Sequence, residues 1–552
     1  MDVLSAAEMQ ACDRATSERF GIPSLALMRS AAAAVAGFAR EQFPHARRVT
    51  VLCGRGNNGG DGMMAARLMA SAGLEVTTLL LGSPDSLKGD AAIAWQDLVS
   101  PPHGLIHGIN GPEDLARHAS ALAADLIVDA VLGTGFKPPL KGLALKALEW
   151  LKAAGAPILA VDLPSGWPAD ETAATPSGPV FPADAVITFT APKPAHLFGH
   201  LTRSWDQPVV VAPIGSPDAA IVSKLGMHWA GSALSLVQAP RAASSNKGNF
   251  GHVLVVGGSF GSAGGKSGAP AMASMAAMRS GAGLVTAAVP LPAAALVAAF
   301  APELMTQPLM ATPAGQIAAE NLAPELVASL IAGITVLAIG PGMGQSAETI
   351  KFTTGLLSST TMPAVIDADA LNILAAKPVL LEKLARQGER TLVLTPHPGE
   401  MARLAGIPTS EVQANRLEVA RDFVRRTGAT LVLKGARTLV AHPDGRVAVN
   451  TTGNPGMAKG GSGDLLTGLV AGLLAQYPSD PGRAVEAAVF LHGLAADLAV
   501  RAASEHTLLA TDSLPQFSRA FRFRSRGPSG YVWLQGLPAD SSPSASLHGV
   551  AE

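Results

Sequence analysis

Short, mainly apolar runs recur along the chain, and most are followed by a glycine-rich turn and then a stretch of helical periodicity. Runs at Arg48–Cys53, Glu75–Leu81, 126–131, 158–162, 185–190 and 208–212 form a first series. Runs at 252–257, 284–289, Val336–Ile339, 364–367, 391–395 and 430–434 form a second. Apolar runs this short, alternating with helices, make a parallel sheet with both faces covered, because each crossover helix must pack back onto the sheet. The helices expected in the first series include 6–20, 25–43, 62–72 and 141–154; in the second, 464–476 and 484–503. Segments 439–442 and 446–449, joined by Pro443-Asp-Gly445, predict a β-hairpin. The fold class expected is therefore α/β, with two three-layer α/β/α domains.

A chain of 552 residues exceeds one ordinary domain. The pattern loosens between residues 213 and 248, which places domains at 1–215 and 247–523, a linker at 216–246 and a disordered Ser/Pro/Gly-rich tail at 524–552. With 48% hydrophobic residues the chain fills large cores, and a net charge of −1 excludes bulk attraction to nucleic acid or an anionic membrane. Two cysteines, Cys12 and Cys53, make neither a disulfide framework nor a zinc pattern. The start lacks a signal-peptide pattern, and Pro290 and Pro292 interrupt the apolar stretch 280–302, which is expected to be strand, turn and helix. A soluble, cytoplasmic protein is expected, as a homo-oligomer.

In a parallel sheet, ligands bind outside the carboxyl ends of the strands. Three such ends in the first series carry glycine and acid: Gly54-Arg-Gly-Asn-Asn-Gly-Gly-Asp-Gly62, Val128-Asp-Ala-Val-Leu-Gly-Thr-Gly135 and Val161-Asp-Leu-Pro-Ser-Gly166. The first loop is not the dinucleotide GxGxxG; its Asn and Asp oxygens suit a phosphate or a hard cation. A lone strand-end Asp is usually a turn former, but three in one sheet point to a site. In this order the motifs resemble the NAD(P)H-hydrate epimerase family over residues 1–215, which implies a Rossmann-like domain. By motif position the resemblance implies that Asn57, Asn58, Gly59, Gly60 and Asp61, then Gly133, Thr134, Gly135, Phe136, Lys137, Pro138 and Pro139, and also Asp162 contact the hydrated dinucleotide. It likewise implies potassium ligands at Asn58, Asp129 and Ser165. Asp162 is the candidate acid/base; Lys193 matches a family position without a clear role. Arg29-Ser30-Ala31-Ala32 stands where the family usually has Glu-Asn-Ala-Gly, without its acidic side chain and its glycine, which puts that helix's ligand contact in question.

The second series ends in Asn450-Thr-Thr-Gly-Asn-Pro-Gly-Met-Ala-Lys-Gly-Gly-Ser-Gly-Asp464, followed by a helical segment. Exposed N–H groups at a helix start favour an anion, and a carboxylate beside them suits proton transfer next to a phosphoryl group. The bland alternative is that Asp464 merely caps the helix. Upstream stand Ile339-Gly-Pro-Gly-Met-Gly344, Ile366-Asp-Ala-Asp-Ala-Leu-Asn372, Leu394-Thr-Pro-His-Pro-Gly-Glu400 and Lys434-Gly-Ala-Arg-Thr438. Gly264-Gly-Lys-Ser267 imitates a P-loop, but Phe260 stands where that motif needs glycine.

Together these motifs resemble the NAD(P)H-hydrate dehydratase family, a ribokinase-like branch. The resemblance implies that Ala269, Gly342 or Gly344, His397 and Asp464 face the hydrated nicotinamide substrate. It also implies that Lys434, Gly435, Ala436, Arg437, Thr438 and Gly463 hold an adenine nucleotide, with ADP as co-substrate and Mg2+ on its phosphates. Asp464 is the candidate base. The function expected is repair of hydrated NADH and NADPH: the epimerase (an isomerase) interconverts R and S forms, and the ADP-dependent dehydratase (a lyase) returns the S form to NAD(P)H, giving AMP and phosphate. Two alternatives remain at this point: a ribokinase-like small-molecule kinase with a fused dinucleotide domain, or a nucleotide-sensing module with degenerate sites.

Overall fold

A computed structural model describes residues 1–538 apart from 263 and 389. The chain divides into two compact units, one made of the described residues of 1–226 and 524–538, the other of those of 227–523.

The first unit holds β1 (Arg48–Cys53), β2 (Glu75–Leu81), β3 (Leu105–Ile109), β4 (Leu126–Ala130), β5 (Ile158–Val161), β6 (Ala185–Phe189) and β7 (Val209–Ala212). An eighth strand, β20 (Val532–Gln535), comes from the far end of the chain. The sheet order is β20-β7-β6-β5-β4-β1-β2-β3, parallel throughout except for antiparallel β20 on β7. Alternation along β1 sorts its side chains to two cores. Val49, Val51 and Cys53 join helices Ser24–Gln42, Asn57–Ser71 and Asp90–Val99, while Leu52 joins Leu115, Leu148 and Leu151 on the other face. The strand order reverses between β1 and β4, which opens a crevice at their carboxyl ends.

The second unit's sheet runs β13-β12-β9-β14-β15-β16-β17-β18-β19-β8. These strands are β8 (Met227–Trp229), β9 (His252–Val256), β12 (Leu284–Pro290), β13 (Met305–Leu309), β14 (Val336–Ile339), β15 (Ala364–Ile366), β16 (Leu392–Leu394), β17 (Thr430–Leu433), β18 (Leu439–Ala441) and β19 (Val447–Val449). A separate two-residue pair, β10 (Phe260–Gly261) and β11 (Gly264–Gly265), projects after β9. Every residue of β14 and of β17 is buried, which a sheet achieves only with both faces covered. The hairpin expected over 439–449 is present as β18 and β19, and 280–302 is strand β12 followed by helix Leu291–Ala298. Among the described residues no helix is long and apolar enough to cross a membrane.

Both expected non-domain segments need correction. The stretch 216–246 is not a linker: β8 pairs in parallel with β19, and Trp229 is buried edge-to-face on Phe490, with its indole N–H donating to Thr451 Oγ1 at 2.8 Å. The tail expected over 524–552 contains β20, and its part beyond 538 lies outside the described residues. Tyr531 and Trp533 are buried edge-on against Phe38, and the Tyr531 hydroxyl donates to the Ala34 carbonyl at 3.1 Å. A four-residue strand is too short to show periodicity amid Ser and Gly. Edge strands β3 and β13 escaped for a related reason, being half exposed and without a continuous apolar run. Replacing Trp533 by Ala removes a buried aromatic from the first core; the expected loss is about 3–5 kcal/mol, read as a lower midpoint for heat inactivation of the first unit's activity.

Candidate functional sites at the carboxyl edges

The first site is built on the β1–β4 crevice. The glycine loop after β1 is shorter than its composition suggests: the helix starts at Asn57, so Asn57, Asn58, Gly59, Gly60 and Asp61 form its first turns. Glycine is required at 59 because a Cβ there would lie 1.9 Å from the Gly54 carbonyl oxygen. The loop after β4 brings Gly133 between Asn58 and Asp162: a Cβ at 133 would sit 2.7 Å from Asp162 Oδ2 and 3.1 Å from Asn58 Oδ1. Of the remaining loop, Thr134 is bonded to Asp162, Phe136 packs against the apolar cluster of the β1 face carrying Leu52, and Gly135, Lys137, Pro138 and Pro139 are exposed.

Asp162 is the hub. It takes a left-handed backbone conformation (φ 67°), a strain that four side-chain bonds hold in place. Oδ2 accepts from Thr134 N–H and Oγ1, both at 2.6 Å; Oδ1 accepts from Thr188 Oγ1 and Lys193 Nζ, both at 2.9 Å. Its carbonyl accepts from His196 Nε2 at 2.7 Å, while His196 Nδ1 accepts from Lys193 N–H at 3.0 Å. These bonds set the His196 tautomer, and burial pushes that ring down to about 4. Burial alone would raise the Asp162 carboxyl, but Lys193, His196 and the Thr134 bonds outweigh it and hold it well below the usual range. Lys193, whose motif gave it no clear role, is almost wholly buried and paired with Asp162.

Asp129 and Ser165 lie one layer beneath. Ser165 donates Oγ–H to Asp129 Oδ1 at 2.6 Å and N–H to Oδ2 at 2.8 Å, and Ser165 Oγ accepts from Leu132 N–H at 2.8 Å. Burial pushes Asp129 up to about 6. The oxygens of Asp129 and Ser165 around this buried carboxylate are of the kind that a weakly hydrated monovalent cation takes, while the Asn58 amide nitrogen, a donor, is buried without a partner. In the helix Ser24–Gln42, Met28 packs where a Gly60 side chain would stand, while Arg29 is exposed and stands 4.0 Å from Asp97.

The second site occupies the carboxyl ends of β9, β14, β15, β16 and β17. Gly461 (φ 98°) ends the glycine run, helix Ser462–Gln476 follows, and no side chain caps its first N–H groups. Asp464 is therefore in the first turn and not the cap. Burial and the neighbouring Asp367 push it up to about 7, against the opposing pull of Lys434 and Lys266. Gly342 closes on the same place: a side chain there would meet Lys266 Cβ at 2.8 Å and Ala269 Cβ at 3.3 Å. Gly344 is pinned by Asp369 Oδ2, which accepts its N–H at 2.9 Å.

Asp367 is the residue that sequence reasoning left out of the site, although its motif was in view. Buried at the end of β15, it accepts Lys434 Nζ at 2.9 Å and Thr395 Oγ1 at 2.8 Å on Oδ1, and Thr467 Oγ1 at 2.8 Å on Oδ2. It thus joins β15, β16, β17 and the Asp464 helix. Gly463 lies against the same pair, 3.3 Å from Lys434 Nζ at its would-be Cβ. Burial works against the Lys434 ammonium, but Asp367, Glu400 and Asp464 outweigh it and raise its proton affinity.

Two expected ligand groups are more structural than their motifs suggest. His397 caps helix Pro398–Ala405: its Nδ1 accepts from Gly399 and Glu400 N–H at 3.0 and 3.3 Å, while Nε2 faces Glu400 Oε1 at 3.4 Å. Its ring remains half exposed. Arg437 turns inward, Nη1 donating to the Thr451 carbonyl at 3.0 Å, and burial lowers it to about 10. In the turn, Thr438 Oγ1 donates to Gly435 O at 2.9 Å, and Arg416 gathers the carbonyls of Leu433 and Ala436 at 3.1 and 2.9 Å. Among the described residues no group of three or more His, Cys, Asp or Glu is arranged to hold a metal ion.

With both sites in view, the comparisons with known proteins decide the family. Residues 253–517 match the model of the NAD(P)H-hydrate dehydratase family, and residues 24–195 that of the YjeF-related protein N-terminus. A bifunctional NAD(P)H-hydrate repair enzyme Nnr from Moorella thermoacetica is 41% identical over 93% of this chain and 95% of its own. The chain belongs to the bifunctional NAD(P)H-hydrate repair enzymes. The family member from Coxiella burnetii is 37% identical over 90% of this chain and 94% of its own. Among solved structures, an ADP/ATP-dependent NAD(P)H-hydrate dehydratase from Bacillus subtilis, co-crystallised with ATP/Mg2+, matches with a TM-score of 0.45 at 32% identity, covering 52% of this chain and 96% of that one.

For a repair enzyme that uses Asp464 as base, dehydration follows the ionised form. Its kcat/KM should rise with pH through about 7 and fall about tenfold per unit below it. Asp367→Asn removes the negative neighbour that raises Asp464, so the acid limb should move to lower pH; an unmoved limb in a pH–rate profile would assign that titration elsewhere.

Proposed function

We propose that the two sites divide the repair of hydrated NADH and NADPH between them, the first unit epimerising the R and S forms and the second dehydrating the S form with ADP as phosphoryl donor. The observation that carries this is the Asp464 carboxyl beside an uncapped helix start, pushed up to about 7. The added hydroxyl is a poor leaving group, and phosphorylation converts loss of water into loss of phosphate. Asp464 takes the hydroxyl proton as the oxygen attacks the terminal phosphorus of ADP, and the bond from that phosphorus to the bridging oxygen breaks, releasing AMP. The N–H groups of Ser462 and Gly463 with the Lys434 ammonium face the charge on the phosphoryl oxygens. The ring nitrogen's electron pair then expels phosphate from the ring carbon, and the neighbouring carbon loses a proton, which re-forms the double bond of the reduced nicotinamide. The turn formed by Lys434, Gly435, Ala436, Arg437 and Thr438 holds the nucleotide through its backbone, because the Arg437 side chain is committed inward. Ala269, Gly342, Gly344 and His397 line the substrate side. A divalent ion would ride on the nucleotide phosphates and neutralise their charge.

In the first unit the buried Asp162–Lys193 pair supplies both charges that epimerisation needs. Lys193 gives its proton to the departing hydroxyl while the ring nitrogen's electron pair forms a double bond to the same carbon; ionised Asp162 faces the cationic ring. Water adds to the opposite face and returns the proton. Asn58, Asp129 and Ser165 are the ligands we assign to potassium, whose charge would offset the buried Asp129.

Asp464→Asn should bind nucleotide and lose dehydration by about 10²-fold or more, measured as NADH absorbance regenerated from its hydrate; full activity would remove Asp464 from the role. A stable phosphorylated product in the wild-type assay would instead indicate a kinase. Asp162→Asn should abolish conversion of the R form while dehydration of the S form continues, and parallel loss of both would contradict separate sites.

A further inference from the structure

The run upstream of Asp464 has no regular structure from 450 to 454, so its path must be set from outside. Helix Pro481–Val500 does this. It is buried along nearly its whole length, yet it carries the charged residue Asp497 toward the run. Asp497 Oδ2 accepts the Gly453 N–H and Oδ1 accepts the Asn454 side-chain N–H, each at 2.9 Å. Asn454 Oδ1 accepts the Gly456 N–H at 3.1 Å, capping the short turn Pro455–Met457. Thr452 Oγ1 donates to the Phe490 carbonyl at 2.8 Å on the same helix. From the nucleotide turn, Arg437 reaches the Thr451 carbonyl at 3.0 Å.

A buried carboxylate is costly, and an apolar residue of similar size is commonly as stable or more so. Asp497 touches none of the reacting groups, so stability does not account for it. What distinguishes a carboxylate is that both oxygens accept, one for each of two N–H donors separated by a single residue step. We propose that Asp497 is a positioning residue for dehydration: it sets the path of the 450–461 run, and hence the seat of Asp464, and ties that run to the nucleotide turn held by Arg437. This rests on the roles given above to Asp464 and to residues 434–438.

The test exploits polarity at constant shape. Asp497→Asn keeps the size of the side chain but sets an amide N–H against either Gly453 N–H or the Asn454 amide. Adding Asn454→Asp reverses the donor at 454: the amide at 497 then donates to the new carboxylate, whose other oxygen still accepts Gly456 N–H. The single variant should lower dehydration kcat by about 10- to 100-fold and raise the KM for ADP, the effect of one buried bond left unmade in the run that seats Asp464. Epimerisation in the same chain should stay unchanged. The double variant should recover dehydration to within about threefold of the unaltered chain, as coupled neighbours do. A single variant of full activity, or a double variant no better than the single, would overturn the proposal. If the single variant misfolds, recovery in the double variant still decides. The unaltered chain's own dehydration rate in this assay reports separately on the function.

Discussion

Each site depends on a lysine ammonium brought close against a strand-end carboxylate: Lys193 on Asp162 in one unit, Lys434 on Asp367 in the other, both at 2.9 Å. Taking two charges out of water is expensive, and the attraction offsets that cost only when further hydrogen bonds satisfy both carboxylate oxygens. Both aspartates meet the condition, with threonines completing the shell: Thr134 and Thr188 around Asp162, Thr395 and Thr467 around Asp367. The partners come from separate strand ends, so the pairs lock loops that share no sequence neighbourhood. Catalytic geometry and fold are held by the same bonds.

The consequences for proton chemistry differ between the units. In the first, four hydrogen bonds, one of them from the Lys193 ammonium, keep Asp162 ionised as a countercharge. In the second, Asp367 takes the cation's closest bond, and Asp464 is left half-buried near a like charge, with its proton affinity raised into the neutral range. One carboxylate held down and one pushed up is how a single residue type serves opposite tasks.

The alternation of apolar runs with helices was legible, because a parallel strand buried on both faces leaves a continuous apolar signature in the chain. The motifs that carry the family resemblance were legible too, and the comparisons bear out the family. What the sequence hid lies in long-range pairing. Lys193 looks like a surface residue in Ala191-Pro-Lys-Pro194, and only the juxtaposition of β5 and β6 shows it buried. Asp367 stands in a strand-end motif with nothing beside it in sequence to mark a partner, yet its side chain crosses to the ends of β16 and β17. The glycines before Asn57 and Gly62 suggested a long open loop, whereas they let a helix start early and close on the strand. His397 and Arg437 present the reverse case: side chains suited to a ligand that the fold turns largely to its own backbone.

The return of β20 to the first sheet also sets an order of events during synthesis. The first unit's strands β1 to β7 leave the ribosome early, but the partner for the open edge of β7, and the Tyr531 and Trp533 rings that cover Phe38, appear only after the whole second unit has been made. Until then the nascent first unit carries an unpaired edge and a bare aromatic face, both of which invite association with other chains. The epimerising half is therefore completed last although it is encoded first, and a chain stopped short of Val532 would release it unfinished.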